Sequence, residues 1–291
     1  MSEGMDVAPY RGRFAPSPSG PLHFGSLLAA VASYLDAHSH EGEWLVRMED
    51  LDPPREMAGA ADGILRTLEQ FGFEWDGAVM YQSRRGDAYR AAVEQLQRDG
   101  LLYGCACTRR EIADSSVGGV AGPVYPGTCR AGMGTGREAR ALRVLTDDVP
   151  IQFNDALQGV VAQQLESTVG DFVLRRADGL FAYQLAVVVD DAEQGINHVV
   201  RGADLLDSTP RQIYLQRLLG FQTPRYAHLP VVVNERGEKL SKQTLAPALD
   251  ARDALSALVH AATFLGQQPP AELLDGDIAA FWQWAKESWR L

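Results

Sequence analysis

Apolar positions change their spacing several times along the chain, and each change marks an element. "RGRFAP" (11–16) reads as a strand, followed by a turn-rich loop through Leu22. From Phe24 onward, Leu27, Leu28, Val31 and Leu35 recur at helical spacing, which predicts a helix with one buried face. "EWLVRME" then predicts a second strand. A second helix carries Ile64, Leu65, Leu68 and Phe71, and "DAYRAAVEQLQRDG" closes a third with Gly100 as its cap. Strand, helix, strand and helix in this order predict βαβ units and a parallel sheet.

From Leu101 to about Arg140 the periodicity fades. "SSVGGVAGPVYPGTCRAGMGTG" is dense in glycine, serine and proline, as expected of an inserted, loop-rich subdomain. Short alternating strands follow ("ALRVL", "IQFND"), then a hairpin, "DFVLRRADGLFAY", turning at Ala177-Asp178-Gly179. Regular α/β texture resumes with the strand "INHVVRG", the helix "PRQIYLQRLLG" and the strand "HLPVVVN". From Ala251 the pattern is helical. The expected division is 1–100 and 183–250 as two halves of one domain, 101–182 as the insertion, and 251–291 as a short helical segment.

Composition narrows the class. The 291 residues are 46% hydrophobic and 22% charged, ordinary for a globular chain, with a formal net charge of −11. That balance argues against non-specific coating of nucleic acid and leaves room only for a localised basic patch. No apolar leader opens the sequence, and the aliphatic run "LAVVV" (185–189) is too short to span a bilayer. Three cysteines, an odd number, do not make a secreted disulfide framework. A cytoplasmic monomer, off the membrane, is the expectation.

Three stretches carry candidate chemistry. In "RFAPSPSGPLHFGSLLAA" a strand ends in a Pro/Gly loop that feeds a helix N-terminus, where unpaired N–H groups and the helix dipole favour an anion. Gly20 and Gly25 would let a phosphate approach the backbone, and His23 could donate to it; a plain β–α turn with a surface histidine accounts for the same stretch. In "NERGEKLSKQ", Lys239, Ser241 and Lys242 offer two ammonium groups and a hydroxyl suited to a triphosphate, the alternative being a solvated loop. Cys105, Cys107 and Cys129 suit a tetrahedral zinc site lacking one ligand, its fourth place open to water, Asp114 or Tyr125; three free thiols are the alternative. "GMGTG" (132–136) has neither a preceding strand nor a following helix and is set aside. His198 and His228 lie in apolar strand patterns and read as structural, and Trp282, Trp284 and Trp289 as helix packing.

Taken together these motifs resemble the glutamyl branch of the class I aminoacyl-tRNA synthetases. "APSPSGPLHFGS" places His23-Phe24-Gly25-Ser26 where that class has HIGH, "KLSKQ" stands in place of KMSKS, and "VRMEDLDPPRE" is similar to the branch's Arg-x-Glu-Asp-x-Asp-Pro segment. Ser26 replaces the second histidine, and Gln243 the final serine. The resemblance implies an α/β fold: a Rossmann-like catalytic domain with an inserted zinc-binding subdomain, a short helical tail and no anticodon-binding domain. It implies ATP-dependent activation of glutamate, with Mg²⁺ arriving on the ATP. His23, Lys239, Ser241 and Lys242 would be catalytic, and His23, Gly25 and Lys242 would contact ATP. Arg13, Ala15, Ser17, Glu49, Tyr183 and Arg201 would hold glutamate, although Glu49 beside Asp50 and Asp52 could instead bind a metal ion. In one branch a tyrosine completes the structural zinc site, which would be Tyr125.

Only 41 residues follow residue 250 (291 − 250). That length is similar to a truncated paralogous family of the branch, whose members pass activated glutamate to the cyclopentene diol of queuosine in the anticodon loop of tRNA(Asp). A ligase with another acceptor, or a non-catalytic tRNA-binding paralogue, are the other expectations.

Overall fold

The computed structural model describes residues 8–120, 122–231 and 247–291. In chain order, β1 (Arg11–Phe14) leads to α1 (Phe24–Ser39), β2 (Glu43–Met48), α2 (Ala60–Gln70), β3 (Met80–Tyr81) and α3 (Gly86–Arg98). Then come β4 (Leu102–Cys105), α4 (Arg109–Ser115), β5 (Gly118–Gly119), β6 (Gly122–Pro123), β7 (Ala141–Val144), β8 (Ile151–Asp155) and β9 (Gly159–Gln163). The rest are α5 (Leu165–Thr168), β10 (Val173–Arg175), α6 (Tyr183–Glu193), β11 (His198–Gly202), α7 (Thr209–Leu219), β12 (Arg225–Leu229), α8 (Ala254–Phe264) and α9 (Ile278–Ser288). They divide into two units: Met1–Tyr81, Ile196–Ala203 and Tyr226–Leu291 in the first, Gln82–Gly195 and Asp204–Arg225 in the second. Among the described residues no helix is long and apolar enough to cross a membrane.

In the first unit β1 runs parallel to β2, from Arg11 opposite Glu43 to Phe14 opposite Val46, and β2 runs parallel to β3. Asn197, just before β11, ties that strand to β1: its side-chain oxygen accepts from the Arg11 amide at 2.8 Å, and its own amide donates to the Arg11 carbonyl at 3.1 Å. Helix α1 is buried at Leu27, Leu28 and every position from Ala30 to Ala37, so more than one face is covered. The sheet covers one side of it and α8 and α9 another, and the alanines and Ser33 between the larger residues allow that close approach. Tyr34 meets Trp44, Phe73 and Trp282 edge-on at 4.8–5.3 Å between ring centroids. The Trp282 indole donates to the Phe71 carbonyl at 2.9 Å. Gly72 makes that seat possible, since its φ is +75° and a Cβ there would meet the indole nitrogen at 2.8 Å.

The second unit is antiparallel in its sheets. β7 lies between β4 and β10, and β8 and β9 form a hairpin whose turn is closed by the Asp155 carboxylate accepting from the Leu157 and Gln158 amides. The expected hairpin at 171–183 contains β10, but its return arm is a single bridge, Arg175 to Phe181. The last strand also differs from the reading of "HLPVVVN". β12 begins earlier, at Arg225, and runs to Leu229, Pro230 having no N–H to offer a ladder; residues 232–234 of the expected strand lie outside the described residues.

Candidate active site and metal centre

The first turn of α1 is where the first unit could hold an anion. His23 is its N-cap, with extended backbone, and its Nδ1 accepts from the Ser26 amide at 3.4 Å. An Nδ1 that accepts leaves the ring proton on Nε2, so this histidine presents a donor away from the helix. The Phe24 and Gly25 amides have no carbonyl within the helix to bond. Beside them the chain returns: His23 forms an antiparallel bridge with Ala248, and the Leu249 amide donates to the Leu22 carbonyl at 2.9 Å. Lys239, Ser241 and Lys242 lie outside the described residues.

The first unit carries Arg13, Ala15, Ser17, Glu49 and Arg201, five of the residues expected to hold glutamate, on or just after β1, β2 and β11. Ligands favour the carboxyl edge of a parallel sheet. Ala15 and Ser17 follow β1, and Glu49 follows β2; the Glu49 amide donates to the Pro16 carbonyl at 2.9 Å, fastening the two loops together. Arg13 on β1 and Arg201 on β11 are buried, at 4% and 5% exposure. The Arg201 Nε donates to Nε2 of the fully buried His228 at 3.1 Å. Arg47 lies 3.6 Å from the Glu49 carboxylate. The unit thus carries buried arginine forks, a geometry that suits carboxylates, and one glutamate, a charge that suits an ammonium. Among the described residues the cysteine triad is the group of His, Cys, Asp or Glu side chains close enough to share one ion, and Glu49, Asp50 and Asp52 do not form another.

Tyr183 belongs to the second unit, at the first position of α6. Two turns along that helix, the buried Asp190 carboxylate accepts from Gln82 at 2.9 Å, Tyr89 at 2.6 Å and Arg85 at 3.1 Å. Gln212 of α7 donates to Gln184 at 2.9 Å, so α6 is pinned close to Tyr183 as well.

The cysteines converge in the same unit. All three sulfurs lie within 4.8 Å of one another, and Cys107 and Cys129 are 3.6 Å apart. The Tyr125 hydroxyl lies 3.4 Å from Cys105 Sγ and 3.8 Å from Cys107 Sγ, and accepts from the Cys129 amide at 3.0 Å. A tetrahedral zinc ion with bonds of about 2.3 Å to sulfur and about 2.0 Å to oxygen separates its ligand atoms by about 3.5–3.7 Å, so the donor set fits zinc. Asp114 instead pairs with Arg110 at 3.7 Å on the exposed side of α4. Burial pushes the Cys107 thiol up to about 11. For Cys129 burial opposes the thiolate too, but hydrogen bonds from Tyr125, from the backbone at Ala106 and from the other cysteines outweigh it and bring the thiol down to about 7.

What holds this loop in place is only half visible in the sequence pattern. Arg130, next to Cys129, donates to both oxygens of Asp171 at 2.7 Å, to Glu166 at 2.6 Å and to the Thr146 carbonyl at 2.6 Å. The Arg143 guanidinium lies 3.8 Å above the Tyr125 ring and donates to the Asp171 carbonyl at 2.6 Å. Gly170, with φ +72°, passes so close to Tyr125 that a Cβ would strike its carbonyl. An arginine beside a candidate ligand was a visible clue; its partner 41 positions away was not.

The chain matches known proteins over nearly its whole length. A family model for tRNA synthetases class I (E and Q), catalytic domain, matches residues 10–257. The chain is 65% identical to the glutamyl-Q tRNA(Asp) synthetase of Dechloromonas aromatica over 287 residues, covering 97% of this chain and 94% of the relative. It is 56% identical to the glutamyl-Q tRNA(Asp) synthetase of Pseudomonas aeruginosa over 280 residues, covering 96% and 93%. Among solved structures, the glutamate-tRNA synthetase of Elizabethkingia anophelis superposes with a TM-score of 0.69 at 28% identity over 80% of this chain. The chain spans about half of that longer protein, 52% of its length. With an α/β fold of that kind and near full-length identity to the shorter relatives, the chain belongs to the class I tRNA synthetase (E and Q) family, in its glutamyl-Q tRNA(Asp) synthetase branch.

Proposed function

We propose that the chain activates glutamate with ATP and passes it to queuosine in the anticodon loop of tRNA(Asp), as a cytoplasmic monomer. The observation that carries this reading is the bridge between His23 and Ala248 at the N-terminus of α1. Lys242 precedes Ala248 by six residues (248 − 242), a covalent reach of about 20 Å. Ala248, which follows both lysines in sequence, is thus the described residue that stands beside the histidine.

In the first step a carboxylate oxygen of glutamate attacks the α-phosphorus of ATP, and pyrophosphate leaves. No enzyme nucleophile is needed, so catalysis is positioning and charge stabilisation. His23 donates from Nε2 to a phosphate oxygen, the Gly25 amide lies in the same turn, and Lys239, Ser241 and Lys242 supply further donors. Mg²⁺ bound to the incoming ATP would supply neutralisation of part of the phosphate charge. Arg13 and Arg201 take the two carboxylates of glutamate and Glu49 takes its ammonium, with Ala15 and Ser17 in the adjoining loop and Tyr183 as a further contact. A hydroxyl of the cyclopentene diol then attacks the activated carbonyl, releasing AMP and one proton. Cys105, Cys107, Tyr125 and Cys129 would hold a structural zinc ion, which would clip the glycine-rich loop.

Glutamate-dependent exchange of pyrophosphate into ATP, with no RNA present, tests the activation step. Exchange is expected with glutamate, falling about 10²–10³-fold in His23→Ala, the usual cost of losing one donor to developing charge. An absence of exchange would overturn the reading.

A further inference from the structure

Beside the cysteine centre the second unit contains an open pocket of about 350 Å³, within the size range of small-ligand sites. Three arginines line it, Arg109, Arg143 and Arg211, against a single carboxylate, Asp171. That carboxylate is already engaged by Arg130, Thr146 and Tyr103. In a chain of net charge −11 this is a concentration of positive charge in one place.

Two of the arginines also have donors to spare. Arg143, 8% exposed, donates from one terminal nitrogen to the Asp171 carbonyl, and Arg211 donates to the Ser208 hydroxyl at 3.3 Å. The buried Nε of each has no acceptor among the described residues. Buried donors without acceptors are costly, so both guanidinium groups keep hydrogen-bonding capacity that the protein itself does not use. Burial weakens the Arg211 cation, while nearby Asp207 and Tyr183 support it, so Arg211 lies within electrostatic range of the tyrosine expected to touch glutamate. The remaining wall is apolar: Ile112, Val169, Phe172 and the ring of Tyr125.

We propose that this pocket receives one nucleotide of the RNA substrate, its phosphate on Arg109, Arg143 and Arg211 and its base on the apolar wall. RNA recognition commonly joins arginine–phosphate contacts to stacking of an unpaired base. The Tyr125 ring forms part of the wall while its hydroxyl reaches the cysteines, so the metal centre and the pocket share a side chain. The proposal rests on the glutamate-transfer reading in taking RNA as the ligand.

The test measures binding of queuosine-containing tRNA(Asp) to the zinc-loaded full chain by fluorescence anisotropy, from 50 to 200 mM salt. Arg211→Gln and Arg109→Gln are each expected to weaken binding about tenfold at low salt, and to lower the slope of log Kd against log salt by about one. Arg109 is exposed on the first turn of α4, so its variant carries the test if Arg211→Gln does not fold. Unchanged affinity and slope in the folded variants would overturn the proposal. So would a loss of affinity for inorganic phosphate or AMP, measured by competition, with none for the tRNA. Wild-type pyrophosphate exchange separates the two readings. Arginine-dependent RNA binding without exchange would keep the pocket and remove glutamate activation; exchange with arginine-independent binding would do the reverse.

Discussion

The histidine site and the cysteine site are supported in different ways. The helix that begins at His23 is enclosed by apolar and aromatic side chains, with Tyr34, about three turns along α1, meeting Trp44, Phe73 and Trp282. Around the cysteines the support is polar: Arg130 spans Asp171, Glu166 and a carbonyl, and Arg143 covers Tyr125. Apolar packing tolerates small changes of shape, because dispersion and the hydrophobic effect have little directionality. A buried polar network does not, since each lost partner leaves a donor or a charge unsatisfied. Damage to the second unit should therefore come in large steps at few positions.

The largest effect is expected from the metal centre. Cys129→Ser, or a strong chelator, should release zinc and unfold the loop it clips; such sites contribute on the order of 10 kcal/mol in small zinc-dependent peptides. Zinc content, with hydrogen exchange of β4 and β7, checks this, and amide protection in α1 should stay unchanged. Next is the aromatic cluster of the first unit. Trp44→Ala should cost about 3–5 kcal/mol by urea denaturation, with zinc content intact.

Asp171→Asn should cost about 3 kcal/mol, at the low end for a broken buried pair because Arg130 keeps 31% of its side chain exposed. Burial favours the neutral acid at Asp171, but hydrogen bonds from Arg130, Tyr103 and Thr146 outweigh it and hold the carboxyl below its ordinary value. Its stabilisation is thus fully present above about pH 4, the unfolded value, and is lost as pH falls through the lower folded one. Denaturation as a function of pH should show that acid-side loss in the wild type and a smaller one in Asp171→Asn. The smallest effect is at the cap of α4, where Thr108 and Glu111 form a reciprocal capping box. Thr108→Ala should cost about 1 kcal/mol, read from the thermal midpoint.

The contrast between the sites also explains what could be read in advance. Elements made by local apolar spacing were legible: β1, α1, β2, α2 and α7 begin or end within a few residues of their patterns. The full enclosure of α1 was not, because alanine and serine carry no apolar signal yet allow other helices to approach. Nor did glycine-rich texture predict α4, although its Thr108-Arg-Arg-Glu111 start is a helix signature. Cysteine spacing pointed to a shared centre. The pairs that orient the sites, Arg130 with Asp171 and Arg201 with His228, are 41 and 27 positions apart and leave no local trace. His228 read as structural from its apolar strand; its ring nitrogen in fact accepts from an arginine proposed to hold substrate.

One chain is proposed to activate glutamate and to deliver it to a modified base rather than to a tRNA end. Transfer of labelled glutamate to tRNA(Asp), compared with and without queuosine, tests it most directly. Label is expected on the queuosine-containing tRNA alone. Equal labelling of both, or labelling of tRNA(Glu), would contradict it.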